Sequence, residues 1–379
     1  MDNLTHSLAG LIISKAGWQT PPPAVSLVCV VAANAPDIDF VSGFIGDRWT
    51  LLHWHRGITH SFLGTILLAL IIPSFFWLGD LMMARWRRRR IALRYRSLLL
   101  ASLLASVSHP LMDWTNNYGV RPFLPWNGKW FYGDLVFIVD PFLWAILGAT
   151  AFLLTSSSRR QRSIWSLFAV FLSLLVIAVA LLSGRLDHPL LVVGLWLAIV
   201  VGSVIYRKQV HSEQATRMVA IAGLGVVVLY WGGLALLHSQ ALKSAREQGA
   251  LLAHDRQESV MQVAAMPTVA NPNRWQCLVE SDLAIYRFDV SLFDGSVQGQ
   301  DVARFAKANA LEGKAIATAK QDRRAQILLE FARFPIERAP DSDCVTGMLV
   351  QFADLRYTEP GKPRGSFSLD VPIECPAHP

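Results

Sequence analysis

Apolar residues form long runs through the first 237 positions, and alternating patterns take over after residue 243. Five runs, at 62–78, 135–154, 164–182, 190–206 and 218–237, reach or approach the ~20 mostly apolar residues that span a bilayer. A sixth, at 97–112, is shorter and carries His109. Two more, at 4–16 and 24–35, are too short to cross unaided. They read as short helices sheltered by the others or as a hairpin in one leaflet. In the C-terminal part, "WQCLVESDLAIYRFDVSLFDG" alternates apolar and polar residues up to a turn at Asp294 and Gly295, and "CVTGMLVQFADLRYTEPGKPRGSFSLDVPIE" repeats the signal around a loop at 359–365. Period-2 alternation bounded by turn residues marks strands. Residues 301–319 and 324–334 read as helices between them. The pattern therefore predicts a polytopic α-helical membrane protein with a C-terminal α+β soluble domain. Its parts are a membrane-embedded domain at 1–155, additional transmembrane helices at 156–239 and a soluble domain at 240–379.

Composition agrees: 53% of the 379 residues are hydrophobic and only 17% charged, against about a quarter charged in soluble proteins. The net charge of +7 raises nucleic acid as a partner, but the placement of the basic residues argues against it. "RWRRRRIALRYR" (85–96) and "RRQR" (159–162) lie between apolar runs, and short basic loops between spans stay on the cytoplasmic side. No nucleic-acid partner is expected. With 85–96 inside, run 62–78 begins outside at His55 and His60. Run 97–112 ends outside at His109 and Asp113, and the soluble domain is also outside. Asp2 precedes the first apolar run and Lys15 follows it, the reverse of a secretory signal, so this end is expected to be retained with His6 outside. Run 24–35 brings Asp37 and Asp39 to the same face. Cys277, Cys344 and Cys375 would all be outside, where one disulfide can form.

One face therefore collects imidazoles and carboxylates, a donor mixture suited to zinc, iron or manganese. "NLTHSLAG" (3–10) and "HRGITHSFLG" (55–64) share T-H-S-x-x-G and read as equivalent ends of two helices aimed at one site, with Thr59 as a helix cap. Asp2 and His6, and again His109 and Asp113 in "HPLMD", are four apart and share a helical face. "APDIDF" supplies Asp37 and Asp39. The metal ligands expected are His6, Asp37, Asp39, His55, His60, His109 and Asp113, around one or two divalent ions. Arg56 and Arg121 are expected to bind a substrate anion, with Arg56 and Asp37 in catalytic roles. Asp2, Asp134 and Asp140 are expected to support the ligands; Asp140 appears within an otherwise apolar run, as a partner of a ligand histidine or as a ligand itself. Trp114, Trp126 and Trp130 fit an interfacial aromatic belt. Asp187 and His188, together with His53, His211, His238 and His254, lack companion motifs and read as structural or solvated. Ionisable residues at membrane depth are costly and functional by default.

The ordered blocks "MDNLTHSLAG", "APDIDF", "HRGITHS", "HPLMDWTNNYG" and "GDLVFIVDP" resemble the YdjM-type inner-membrane proteins over residues 1–155. "NPNRWQCLVE" and "FADLRY" resemble the extended members that carry a C-terminal domain. The resemblance implies a bacterial inner-membrane location with a periplasmic C-terminal domain, a metal-dependent hydrolase activity and the same seven metal-site residues. The ligand style is also similar to zinc-dependent phospholipase C, which makes zinc the expected metal. The function expected is hydrolysis of a phosphoester or other ester of a lipid-like or envelope substrate. The alternative from another class is a non-catalytic metal-binding or transport protein. A transport path would need polar residues at mid-depth in several spans, and the inner halves of the runs read as dry.

Topology is the first expectation open to test. Reporter fusions after Arg90 and Lys243 should give opposite signals, cytoplasmic and periplasmic. Matching signals from both would remove the one-sided site.

Overall fold

A computed structural model describes residues 1–17, 23–182, 186–210, 212–293, 302–339 and 348–373. The chain forms two compact units. The first comprises Met1–Ile38, Arg56–Leu236 and Pro267–Pro272, and the second comprises Asp39–His55, Leu237–Met266 and Asn273–Pro379.

The first unit is helical. Among the described residues, five helical segments are long and apolar enough to cross a membrane: Pro23–Ile45, Phe62–Trp86, Arg159–Leu182, Pro189–Gln209 and Glu213–His254. Their large apolar side chains point outward, as at Phe75, Leu182 and Leu229, which suits a lipid solvent. The short Asn3–Gly17 helix packs on Pro23–Asn34 and on Pro141–Thr155. Gly10 allows the first of these contacts, because a Cβ there would lie 2.7 Å from the Cys29 carbonyl oxygen and 2.8 Å from Ala33 Cβ. Small residues at such crossings let backbones approach closely. Val28, Cys29, Ala32, Leu98, Ala101 and Ala105 form the buried seam with Tyr95–Trp114.

Run 135–154 departs from expectation. Its helix covers only Pro141–Thr155, shorter than the long candidate spans. Asp140 is not inside a span. It is the N-cap, accepting from the backbone N–H of Phe142 (2.7 Å) and Leu143 (3.0 Å). Pro141 fixes this start, since its preset φ and missing N–H suit the first helical position. The preceding stretch folds back: the N–H groups of Leu135 and Val136 donate to the Thr115 carbonyl at 2.8 and 3.0 Å.

The second unit carries two antiparallel sheets. One has the order β1 (Val260–Thr268), β2 (Asn271–Ser281), β3 (Ala284–Ser291) and β4 (Ala303–Ala306). The other has β5 (Pro335–Arg338), β6 (Met348–Asp354) and β7 (Ser368–Ile373). Cys277 faces Phe288 across the β2–β3 pair, and Trp275, Val279 and Tyr286 share their core. The β2–β3 hairpin closes at residues 282 and 283, while the turn expected at Asp294 and Gly295 lies outside the described residues, as does His211. The helix expected over 301–319 begins only at Ala310, because 303–306 is recruited as β4 against Ala284–Arg287. The second helix, Arg323–Phe331, is capped by Asp322. Cys277 is buried with a free thiol, and Cys344 and Cys375 lie outside the described residues.

Glu258 ties the first sheet together. Its carboxylate accepts from Ser281 Oγ (2.5 Å), Tyr286 OH (2.9 Å) and Arg304 Nη2 (2.6 Å). Burial pushes its pKa up, but the Ser281, Arg304 and Tyr286 hydrogen bonds together hold it below the usual glutamate value. A depressed folded pKa contributes stability that is present above the unfolded pKa of about 4.3 and is lost as pH falls through the folded value. Glu258→Gln should therefore cost about 1–3 kcal/mol at neutral pH. The deficit should shrink on acidification below the ordinary glutamate range, as read by denaturant titration of Trp fluorescence. A deficit that does not change with pH would contradict this.

Candidate metal centre

The first unit gathers four of the expected ligands at one end of its helices. Asp37 follows the end of Pro23–Asn34 in a 3₁₀ turn. His60 closes another 3₁₀ turn, Ile58–His60, just ahead of Phe62–Trp86. His109 and Asp113 lie one turn apart near the end of Tyr95–Trp114. One donor atom from each lies within 4.8 Å of all the others. His60 Nε2 is 3.1 Å from His109 Nε2, 3.3 Å from Asp37 Oδ1 and 3.4 Å from Asp113 Oδ2. His109 Nε2 is 3.5 Å from both of those oxygens. Ligand atoms at the ~2.0–2.1 Å bond lengths of a tetrahedral zinc site stand roughly 3.3 Å apart, so these five separations have the dimensions of such a shell.

The donor chemistry fits as well. The Ala33 carbonyl lies 2.6 Å from His109 Nδ1. A carbonyl only accepts, so Nδ1 carries the proton and Nε2 of the neutral ring offers a lone pair. Thr59 Oγ1 lies 3.1 Å from His60 Nδ1 and can accept from it, turning His60 Nε2 to the same role. Two lone pairs and two carboxylate oxygens would then converge on one point, where a cation relieves their repulsion. His60, His109 and Asp113 are at most 1% exposed, and Asp37 is 8% exposed. His6 adjoins the four. Its ring stacks on His109 at 3.7 Å, Nε2 is 3.4 Å from Asp113 Oδ1, and among the described residues neither ring nitrogen makes a hydrogen bond.

The two T-H-S-x-x-G motifs are not equivalent. His6 sits within a helix. Asp2, rather than sharing a helical face with His6, holds that helix's first turn through Thr5 N (3.0 Å) and Thr5 Oγ1 (2.6 Å), and accepts from Trp144 Nε1 at 3.1 Å. In the second motif Ser61, not Thr59, is the cap: its Oγ accepts from Gly64 N at 3.1 Å. Gly64 is required there, because a Cβ would overlap the Ile58 carbonyl oxygen.

Arg56 lies apart from its expected role. Its backbone has φ 54°, a left-handed conformation that costs roughly 1–3 kcal/mol in a non-glycine residue. Its guanidinium is buried. Nη2 donates to Asp113 Oδ1 (3.0 Å), and Nη1 donates to Asn116 Oδ1 (2.9 Å) and the Gly119 carbonyl (2.9 Å). Tyr118 lies under it at 4.6 Å. The fork expected to grip a substrate anion is thus spent on Asp113 and its neighbours. Asn116 and Tyr118 were missed, although they sit in "TNNYG" directly after the Asp113 motif. The Met1 amino group also contacts Asp113.

The remaining candidates lie outside this group of four. Asp39 and His55 belong to the second unit, where His55 Nδ1 is 3.0 Å from Asp39 Oδ1. Asp140, expected beside a ligand histidine, instead accepts from Tyr230 OH at 2.9 Å in addition to its capping bonds. Asp134 is buried, with φ 53°. Arg121 stacks over Trp130 at 4.6 Å. Trp114 and Trp126 are exposed.

The model of the YdjM inner membrane protein family matches residues 1–186. The chain is 31% identical over 144 residues to the Inner membrane protein YbcI of Escherichia coli (strain K12), covering 37% of this chain and 76% of that protein. It is 28% identical over 155 residues to the Uncharacterized protein YfhP of Bacillus subtilis (strain 168), covering 38% of this chain and 43% of that protein. The match thus spans less than half the length of the latter relative. No solved structure matches the chain. The chain belongs to the YdjM inner membrane protein family, and with its apolar helices it is a multi-pass inner-membrane protein.

The close approach at Gly64 generates a test of how tightly the centre is built. Gly64→Ala must push the Ile58–His60 turn away from its helix. It should lower folded yield or thermal stability by ~2 kcal/mol or more, within the range for overpacking, whereas Gly79→Ala, with open space around it, should not. Equal thermal stability of the two variants in detergent would contradict the geometry.

Proposed function

We propose that this member of the YdjM inner membrane protein family is a membrane-bound metal-dependent hydrolase whose substrate is a phosphoester or other ester of a lipid-like or envelope molecule. The observation that carries the reading is the shell of Asp37, His60, His109 and Asp113, with five donor separations between 3.1 and 3.5 Å. These four side chains would hold the metal, with His6 as a further donor. Zinc suits a set of two imidazoles and two carboxylates.

A divalent metal at such a centre supplies Lewis acidity that activates water at neutral pH and polarises a phosphoryl or carbonyl oxygen. The protein's own groups do the rest. Ala33 and Thr59 fix the tautomers of His109 and His60. Arg56 positions Asp113, neutralising its second oxygen so that both carboxylates can be buried together. Asp37 is the least buried of the four, so it is the donor able to yield a position to solvent and to accept a proton as general base. Arg121 is retained as the cation for a substrate anion. In this reading the site and the C-terminal domain face the periplasm. A second reading, a non-catalytic metal site, draws support from the closure of four protein donors, the pattern of structural zinc.

Metal analysis of detergent-purified protein, paired with hydrolysis of model phosphodiesters and short-chain esters, tests the reading. Wild-type protein should retain stoichiometric metal and turn over at least one substrate class. His109→Ala should lose both. Arg56→Ala should weaken metal affinity about 10–100-fold, as supporting partners of metal ligands do. Arg56→Lys should recover part of that loss, because it keeps the charge but not the fork. Metal retained without any turnover would favour the non-catalytic reading. Protein without metal would contradict both.

A further inference from the structure

A second feature of the first unit lies away from the ligands. An apolar cleft of about 250 Å³ runs between the helices Pro141–Thr155, Arg159–Leu182 and Pro189–Tyr206. Trp144, Leu172 and Trp196 line one end, and Phe152, Trp165 and Val204 line the other. Trp144 and Phe152 are eight residues apart on one helix, so at 1.5 Å per residue the cleft extends about 12 Å along the helix axis. With carbon–carbon bonds of ~1.5 Å in zigzag, it accommodates roughly nine methylenes of an extended chain.

The lining offers hydrocarbon. The indole N–H groups of Trp165 and Trp196 are used on Thr155 Oγ1 (2.9 Å) and Ser173 Oγ (2.8 Å), and the Ser203 hydroxyl donates to Val200 O at 2.7 Å. The space exists because one wall is built of small residues, Ala145, Gly148 and Ala149, and the position of a Cβ on Gly148 is open. The rim continues into the lipid-facing surface of two membrane-spanning segments, through the exposed Val170 and Val204. One end is tied to the site: Trp144 Nε1 donates to Asp2 and to Thr5 Oγ1, at 3.1–3.2 Å, and Thr5 directly precedes His6.

We infer that this cleft seats one acyl chain of a bilayer lipid, with the headgroup end of that lipid at Trp144, beside the segment that carries His6. Continuity with the lipid-facing surface names the occupant. A chain entering from the bilayer is the apolar molecule available there, and each buried CH₂ adds to binding. The inference rests on the hydrolase reading in one respect only, that the seated lipid is the one acted on.

The experiment uses full-length protein in phosphatidylethanolamine–phosphatidylglycerol vesicles doped with a phospholipid carrying a diazirine in mid-chain. Photolabelling, mapped by peptide mass spectrometry, should concentrate on the cleft-lining positions of the three helices, severalfold above the exposed face of Phe62–Trp86. Gly148→Leu, and independently Ala169→Leu from another wall, should abolish that excess while leaving metal content unchanged. In turnover, both variants should lose activity on long-chain lipid esters and keep activity on a water-soluble short-chain ester. Labelling spread evenly over all lipid-facing helices, or unchanged in both variants, would overturn the inference even if hydrolysis is intact. Cleft labelling in a wild-type protein that hydrolyses nothing would uphold the lipid site and count against the hydrolase reading instead.

Discussion

The site depends on one constraint. Two carboxylates and two imidazoles are packed within 4.8 Å of one another where water scarcely reaches. An isolated carboxylate in such surroundings costs several kcal/mol, so the cluster persists only if every charge has a partner. Arg56 supplies one positive charge to Asp113. The Ala33 carbonyl fixes the proton of His109 on the far side of its ring. What is left over is an inward-facing set of negative and lone-pair atoms that a divalent cation would balance. The helices around it are arranged to make that concentration of donors possible.

Their arrangement follows from small residues at close approaches. Gly10 brings the helix of His6 against the one that ends before Asp37. Gly64 folds the His60 turn tightly onto its own helix. The left-handed backbone at Arg56 aims the guanidinium inward, and its cost is offset by buried, charge-assisted hydrogen bonds, which are the stronger kind. The same economy explains Asp140: a carboxylate at the entry of an apolar helix is tolerable when two backbone N–H groups and the Tyr230 hydroxyl bind it.

Much of this was legible in the sequence because ionisable residues at the ends of apolar runs are rare and their spacing is informative. The i,i+4 pair His109 and Asp113, the "APD" of Asp37 and the histidine of the second T-H-S motif all lead to the centre. The soluble α+β domain was legible from its alternation, but the β2–β3 turn at 282–283 was not, because no glycine or proline marks it between Ser281 and Ala284. Other features depend on tertiary context. Nothing in "GITHS" tells Ser61 from Thr59 as the cap, since both types cap well; the overlap at Gly64 decides it. Arg56 reads equally as a ligand for an anion outside or for Asp113 inside, and only folding brings Asn116 to it. The Asp140-Pro141 start was readable from proline's preference for the first helical position and was obscured by the apolar residues before it.

X-ray absorption at the metal edge of the purified protein tests the central claim most directly. The account predicts a bound divalent metal with only nitrogen and oxygen neighbours at about 2.0–2.1 Å, an imidazole scattering signature from at least two histidines, and loss of that signature in His60→Ala/His109→Ala protein. A spectrum without imidazole scattering, or protein that binds no divalent metal at all, would contradict it.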